Sequence, residues 1–119
     1  MNPESRVLSY LADMLEHARL AVEFTAGSDR TAFDSDRQKQ FAVVRALEVV
    51  GEAAKMVPLE TRALAPNIPW KQITAMRDKL IHHYFGVDIE IVWTSVREDV
   101  PQLVNELTEL LSRLGGKSG

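Results

Sequence analysis

The chain has 119 residues, of which 45% are hydrophobic and 26% charged, and its net charge is −3. This length predicts one small domain, and the ordinary composition excludes wholesale disorder. The negative net charge argues against a broad basic surface, so any contact with nucleic acid must be local. The chain has no cysteine, and no apolar run approaches the roughly 20 residues that span a bilayer. We therefore expect a cytoplasmic protein without membrane contact.

Helical periodicity dominates the first half of the chain. Apolar residues recur at three- and four-residue intervals over residues 4–24, and again over residues 41–57, which predicts two long amphipathic helices. A polar segment separates them. Three prolines between residues 58 and 69 predict a turn or short helix followed by a loop.

Proline, glycine and aspartate mark the boundaries of the remaining helices. Pro69 is well placed as the first residue of a third helix, which should extend to about Tyr84 and end before Gly86. Asp88 is expected to cap a fourth helical run. Pro101 lies inside that run and should kink it or split it into two helices.

These patterns together predict the fold class. No segment alternates polar and apolar residues as a strand would, and no internal repeat is present. We predict an all-α, up-and-down bundle of four long helices. The bundle should form a single domain over residues 1–114, and the glycine-rich residues 115–119 should form a flexible tail.

Arg77 lies in the middle of the apolar arc of the third helix. At about 100° per residue, that arc consists of Trp70, Ile73, Leu80, Ile81 and Tyr84. A buried guanidinium is costly unless it is paired, so Arg77 should contact a carboxylate, reach a water-filled cleft or face another subunit. A structural ion pair with Glu48 or Glu52 of the second helix is one alternative, and Glu52 is a candidate to support Arg77. Both glutamates can equally belong to a solvated stripe.

His82 follows Arg77 by five residues, which places it about 140° around a regular helix. The two side chains can therefore meet at one phosphate only if the helix unwinds near His82, or if two chains related by a two-fold axis each contribute one of them. His82 can also be an ordinary surface residue. Asp78 is either a surface acid or a group that orients His82. His82 and His83 cannot chelate one metal from a regular helix, and we expect neither a metal site nor a cofactor.

Arg77, His82 and Tyr84 match the pattern Arg-x4-His-x-Tyr. In this motif the chain resembles the HepT ribonuclease toxins, a branch of the HEPN superfamily. The resemblance covers nearly the whole chain and includes further stretches at residues 45–55, 68–73, 84–93 and 98–103.

The resemblance implies a HEPN-like helical bundle that forms a symmetric homodimer and cleaves RNA without a metal ion. It assigns phosphate binding and transition-state stabilisation to Arg77, general acid–base catalysis to His82, and a supporting role to Asp78. It further implies that a partner antitoxin of the minimal nucleotidyltransferase class, MntA, modifies Tyr84 with adenylyl groups and thereby blocks RNA.

Two other readings of the chain compete with the ribonuclease. One is a non-catalytic helical adaptor, or substrate-binding subunit, of a nucleotidyltransferase, in which Arg77 and His82 serve packing or nucleotide binding. The other is a structural dimerisation bundle. Neither requires RNA cleavage.

Overall fold

The computed structural model describes residues 2–82 and 88–115, with His82 described by its backbone alone. All regular secondary structure in these residues is helical, which confirms the all-α prediction. The elements are α1 (Pro3–Thr25), α2 (Arg30–Asp34), α3 (Arg37–Lys55), α4 (Leu59–Arg62), α5 (Trp70–His82), α6 (Ile89–Thr94), a π-helical turn (Ser95–Asp99) and α7 (Val100–Gly115).

Helix α1 is the central element of the bundle. Asn2 caps it by accepting a hydrogen bond from the backbone N–H of Ser5 at 2.8 Å, and Pro3 stands in the first turn, where its missing N–H leaves no gap in the helix. The helix packs against α3 and α7. Fully buried side chains of these three helices form the core, among them Leu11, Met14, Val43, Leu107 and Leu110.

Helix α2 was not predicted, because five residues are too few to show helical periodicity. The Asp29 side chain caps it by accepting from the N–H of Ala32. Its one buried residue, Phe33, packs on Trp93 with ring centroids 5.2 Å apart. Gln40 of α3 donates to the carbonyl of Phe33 at 2.8 Å. A short helix held by one aromatic anchor therefore occupies the predicted polar segment.

Helices α3, α4 and α5 follow the sequence pattern with small shifts at their ends. Helix α3 begins earlier than predicted because Asp36 accepts from the N–H of Lys39 at 2.9 Å. The proline-rich segment contains the expected short helix, α4. Helix α5 begins one residue after Pro69, and its Trp70 indole donates to the carbonyl of Ala65 at 3.1 Å. The predicted end of α5 near Tyr84 and Gly86 lies outside the described residues.

A π-helical turn divides the predicted fourth helical run just before Pro101. Asp88 caps the run as expected, by accepting from the N–H groups of Glu90 and Ile91. The N–H of Val100 donates to the carbonyl of Ser95, five residues back, and Pro101 has no N–H to continue a regular ladder. The split at Pro101 is thus confirmed, and its form is a widened turn inside a continuous helical run. Within residues 2–82 and 88–115, no helix has the length and apolar character needed to cross a membrane.

Candidate active site on helix α5

Gly51 of α3 lies directly against Arg77 of α5. A Cβ atom added to Gly51 would lie 2.2 Å from the Cβ atom of Arg77 and 3.3 Å from its Cα atom. Carbon atoms in contact normally stand about 3.5–4.0 Å apart. The absent side chain at Gly51 therefore sets the separation of α3 and α5 and fixes the base of the Arg77 side chain against α3.

The guanidinium of Arg77 is partly exposed and keeps hydrogen-bonding capacity. The side chain is 26% exposed, and Nη1 donates to Oδ1 of Asp78 at 3.2 Å. Nε is buried and has no hydrogen-bond partner among the residues that the structure describes. A guanidinium carries five N–H donors, and the described residues accept one hydrogen bond from it, so its solvent-reaching end keeps donors for an anion.

Asp78 joins Arg77 to Lys55 at the end of α3. Its Oδ1 atom also accepts from Nζ of Lys55 at 2.8 Å, so one carboxylate oxygen contacts two cations from two helices. The hydrogen bond from Lys55, and then that from Arg77, hold the pKa of Asp78 below its ordinary value. Asp78 is therefore ionised at neutral pH.

The alternative of an ion pair between Arg77 and Glu48 or Glu52 is not what the structure shows. Both glutamates contact Arg45 of their own helix instead, at 3.3 Å and 3.2 Å. Arg45 is 62% exposed and reaches them along the surface of α3. Glu52 thus lies on the helix that supports Arg77, but its carboxylate is engaged elsewhere.

The apolar arc of α5 is confirmed in part. Trp70 and Leu80 are buried, and Ile73 packs against the core. Ile81, at the edge of the arc, is 37% exposed. Tyr84 lies outside the described residues.

The backbone of α5 remains helical up to His82. The helix therefore does not unwind between Arg77 and His82, and the angle of about 140° between their positions on the helix persists. The side chain of His82 lies outside the described part of the chain.

Lys55 is the residue of this cluster that the sequence analysis missed. Its hydrogen bond joins residues 23 positions apart, on two helices. Helical periodicity relates residues within one helix, so it carries no signal for such a pair. The only sequence signal was indirect, because Lys55 ends the stretch 45–55 that resembles the HepT toxins.

A cavity of about 410 Å³ lies beside the cluster, among α3, α5, the π-helical turn and α7. Ile73 and Met76 of α5 line it, whereas Arg77, Asp78 and Lys55 do not. The charged groups therefore occupy the open surface next to the cavity. Among the described residues, no group of three or more His, Asp or Glu side chains is arranged to hold a metal ion.

The fold and the cluster define an all-α protein that presents an arginine of one helix at the surface beside a lysine of another. Residues 14–110 match the family described as "Ribonuclease HepT-like". The chain belongs to the HepT-like ribonuclease family, within the HEPN superfamily, as the resemblance indicated.

Relatives from several organisms support this membership over most of the chain. "Probable ribonuclease HepT" of Thermococcus cleftensis is 46% identical over 101 residues, which cover 85% of this chain and 92% of the relative. A protein of Methanocaldococcus jannaschii with an RNase name is 39% identical over 115 residues, or 97% of this chain and 95% of the relative. A third relative, an RNase by name from Caldanaerobacter subterraneus, is 38% identical over 104 residues, which cover 87% of this chain and 93% of the relative. No solved structure matches the chain.

The close contact at Gly51 generates a prediction for stability. Gly51→Ala in an open helix would stabilise the protein by up to ~1 kcal/mol through helix propensity. Because the added methyl group meets the Cβ atom of Arg77, we expect the opposite, a loss of about 1–3 kcal/mol in the free energy of unfolding, measured by urea denaturation. A variant as stable as the wild type, or more stable, would contradict the close packing of α3 on α5.

Proposed function

We propose that this protein is an endoribonuclease toxin that cleaves RNA without a metal ion. The observation that carries the proposal is the guanidinium of Arg77, which is fixed against α3, partly exposed and incompletely hydrogen-bonded. Membership in the HepT-like ribonuclease family supports RNA as the substrate. Arginine suits this task because its planar fork matches phosphate oxygens.

The proposed chemistry uses the nucleophile that RNA carries itself. His82 takes the proton of a ribose 2′-hydroxyl, whose oxygen attacks the adjacent phosphorus, and the bond to the 5′-oxygen of the next nucleotide breaks. Arg77 stabilises the negative charge of the transition state. A proton from the solvent or from protonated His82 neutralises the leaving oxygen. The products are a 2′,3′-cyclic phosphate and a 5′-hydroxyl, and DNA is not cut because it lacks the 2′-hydroxyl.

Two acidic residues support these groups in the proposal. Asp78 contacts Nη1 of Arg77 and so restrains the guanidinium. Glu52 acts through α3, where it follows Gly51 directly and restrains Arg45. Neither takes part in the proton transfers.

A symmetric homodimer supplies the active arrangement of Arg77 and His82. A backbone that is helical from Arg77 to His82 separates the two positions by about 140° around the helix axis, which favours the two-chain alternative over local unwinding. In the proposed dimer, Arg77 of one protomer and His82 of the other act on the same phosphate.

The toxin is proposed to be controlled by a cognate nucleotidyltransferase antitoxin of the MntA type. The partner transfers an adenylyl group from ATP to the hydroxyl of Tyr84, two residues after His82, with release of pyrophosphate, and any further adenylyl group attaches to the preceding one in the same way. Each adenylyl group adds bulk and a negative phosphate to the motif, which repels RNA.

The first prediction concerns activity. Purified wild-type protein should cleave RNA in the presence of EDTA, leave DNA of the same sequence intact and yield 2′,3′-cyclic phosphate ends by mass spectrometry. Arg77→Ala and His82→Ala should each lower the rate at least about 100-fold, the usual size of such contributions. Arg19→Ala and His17→Ala on α1 are matched controls and should retain wild-type rates. Intact RNA with the unmodified wild type would favour the adaptor instead.

The second prediction tests the composite site by complementation. In a heterodimer of Arg77→Ala and His82→Ala chains, one of the two sites combines an intact arginine with an intact histidine. Mixing the two inactive variants under conditions of subunit exchange should restore about a quarter of wild-type activity, if chains pair at random in a two-fold dimer. Activity that stays at the level of the single variants would place both groups within one chain. Light scattering that gives a monomer at micromolar concentration would also contradict the composite site.

The third prediction concerns the modification of Tyr84. Incubation with the cognate nucleotidyltransferase and ATP should increase the mass of the wild type in adenylyl steps and abolish RNA cleavage. Tyr84→Phe should gain no mass and stay active with the partner present. The chain has two tyrosines, so Tyr10→Phe is the matched control and should be labelled like the wild type. Labelling that survives Tyr84→Phe would place the acceptor elsewhere.

A further inference from the structure

The cluster around Asp78 differs in charge from other ion-paired clusters of the protein. Arg30 is matched by one carboxylate, Asp34, and Arg45 contacts two carboxylates. At Asp78 the ratio is reversed, because two cations contact one carboxylate. This cluster therefore keeps an excess of positive charge on a chain whose net charge is −3.

The two cations of this cluster are close enough to bind the same anion. Nζ of Lys55 and Nη1 of Arg77 both donate to Oδ1 of Asp78, at 2.8 Å and 3.2 Å. Any oxygen atom that replaces Oδ1 would contact both nitrogens. The site is also accessible, since the side chains of Lys55 and Asp78 are 40% and 47% exposed.

We propose that Lys55 is a phosphate-binding residue, which binds the RNA backbone together with Arg77 and in competition with the carboxylate of Asp78. This inference rests on the proposed ribonuclease function. Phosphate and carboxylate oxygens accept the same charge-assisted hydrogen bonds, so an RNA phosphate can take the contacts that Asp78 makes. Asp78 then lowers RNA affinity, because its negative charge repels the phosphate that approaches its two cations.

The excess of acidic over basic residues strengthens the case for Lys55. An acidic protein without a broad basic surface must draw its RNA affinity from a few local contacts. Lys55 lies at the C-terminal end of α3, the helix whose Gly51 fixes Arg77. The packing of α3 on α5 therefore positions both Lys55 and Arg77.

The test measures equilibrium binding of a labelled single-stranded RNA in which every ribose carries a 2′-O-methyl group. This RNA keeps its phosphates but lacks the nucleophile, so binding is separated from cleavage. Fluorescence anisotropy at several salt concentrations gives Kd and its salt dependence for each variant. The matched control is Lys39→Gln, which removes the same charge from the same helix about 24 Å away, at 1.5 Å per residue.

Lys55→Gln should weaken binding about two- to fivefold, the range of exposed ion pairs. The slope of log Kd against log salt should fall by about 0.7, the value for one phosphate contact on a single strand. Lys55→Arg should restore both quantities, and Lys39→Gln should match the wild type. Asp78→Asn, which keeps the shape of the side chain, should tighten binding about two- to fivefold.

Three results would overturn the inference about Lys55, and one of them would also overturn the proposed ribonuclease function. If the wild type binds RNA and Lys55→Gln behaves like Lys39→Gln, Lys55 does not contact the phosphate, and the ribonuclease proposal stands. If Asp78→Asn binds RNA more weakly, the carboxylate holds Arg77 for binding and does not compete. If the wild type neither binds the methylated RNA nor cuts unmodified RNA, the proposed function fails together with the inference.

Discussion

The close packing of α3 on α5 at Gly51 is the contact on which the candidate site depends. Arginine has a long side chain with many rotamers, and fixing it at a surface normally costs conformational entropy. Here the base of Arg77 lies against the backbone of α3, which restricts the side chain before any ligand arrives. The same contact brings Lys55, one turn after Gly51, within reach of Asp78. The close contact that glycine permits at position 51 therefore helps to position Arg77, Asp78 and Lys55.

The candidate site lies on the open surface of the bundle and not inside the neighbouring cavity, because Arg77, Asp78 and Lys55 do not line that cavity. The cavity beside α5 is lined by apolar residues such as Met76 and Leu103 and by the acidic residues Asp99 and Glu106, so it offers no positive charge to a phosphate. Arg77 and Lys55 lie outside it, where a long, charged polymer can pass without entering the bundle. A pocket of about 410 Å³ suits a small molecule better than a strand of RNA. The location of the cations, and not the size of the cavity, thus favours RNA as the ligand.

The sequence predicted most of the fold, because periodicity and capping residues act locally. The long helices, the short helix after Pro58 and the Asp88 cap follow from such signals. Helix α2 was not predicted because it is too short to show periodicity and because its buried residue, Phe33, packs on Trp93, 60 residues away. In the site, the position of Arg77 on the apolar arc was visible, but its partner was not. Side chains of different helices meet through tertiary packing, so the sequence left an ion pair with Glu48 or Glu52 as one alternative and gave no sign of Lys55.

An acidic protein that binds RNA through few cations is easily controlled by added negative charge. On a broad basic surface, one new phosphate would cancel a small share of the attraction. At a site with two cations and one internal carboxylate, an adenylyl phosphate nearby would leave no net positive charge. The proposed modification of Tyr84 would then act on the same charge balance that Asp78 already sets. The small excess of positive charge at this site would therefore make RNA binding sensitive to a single modification.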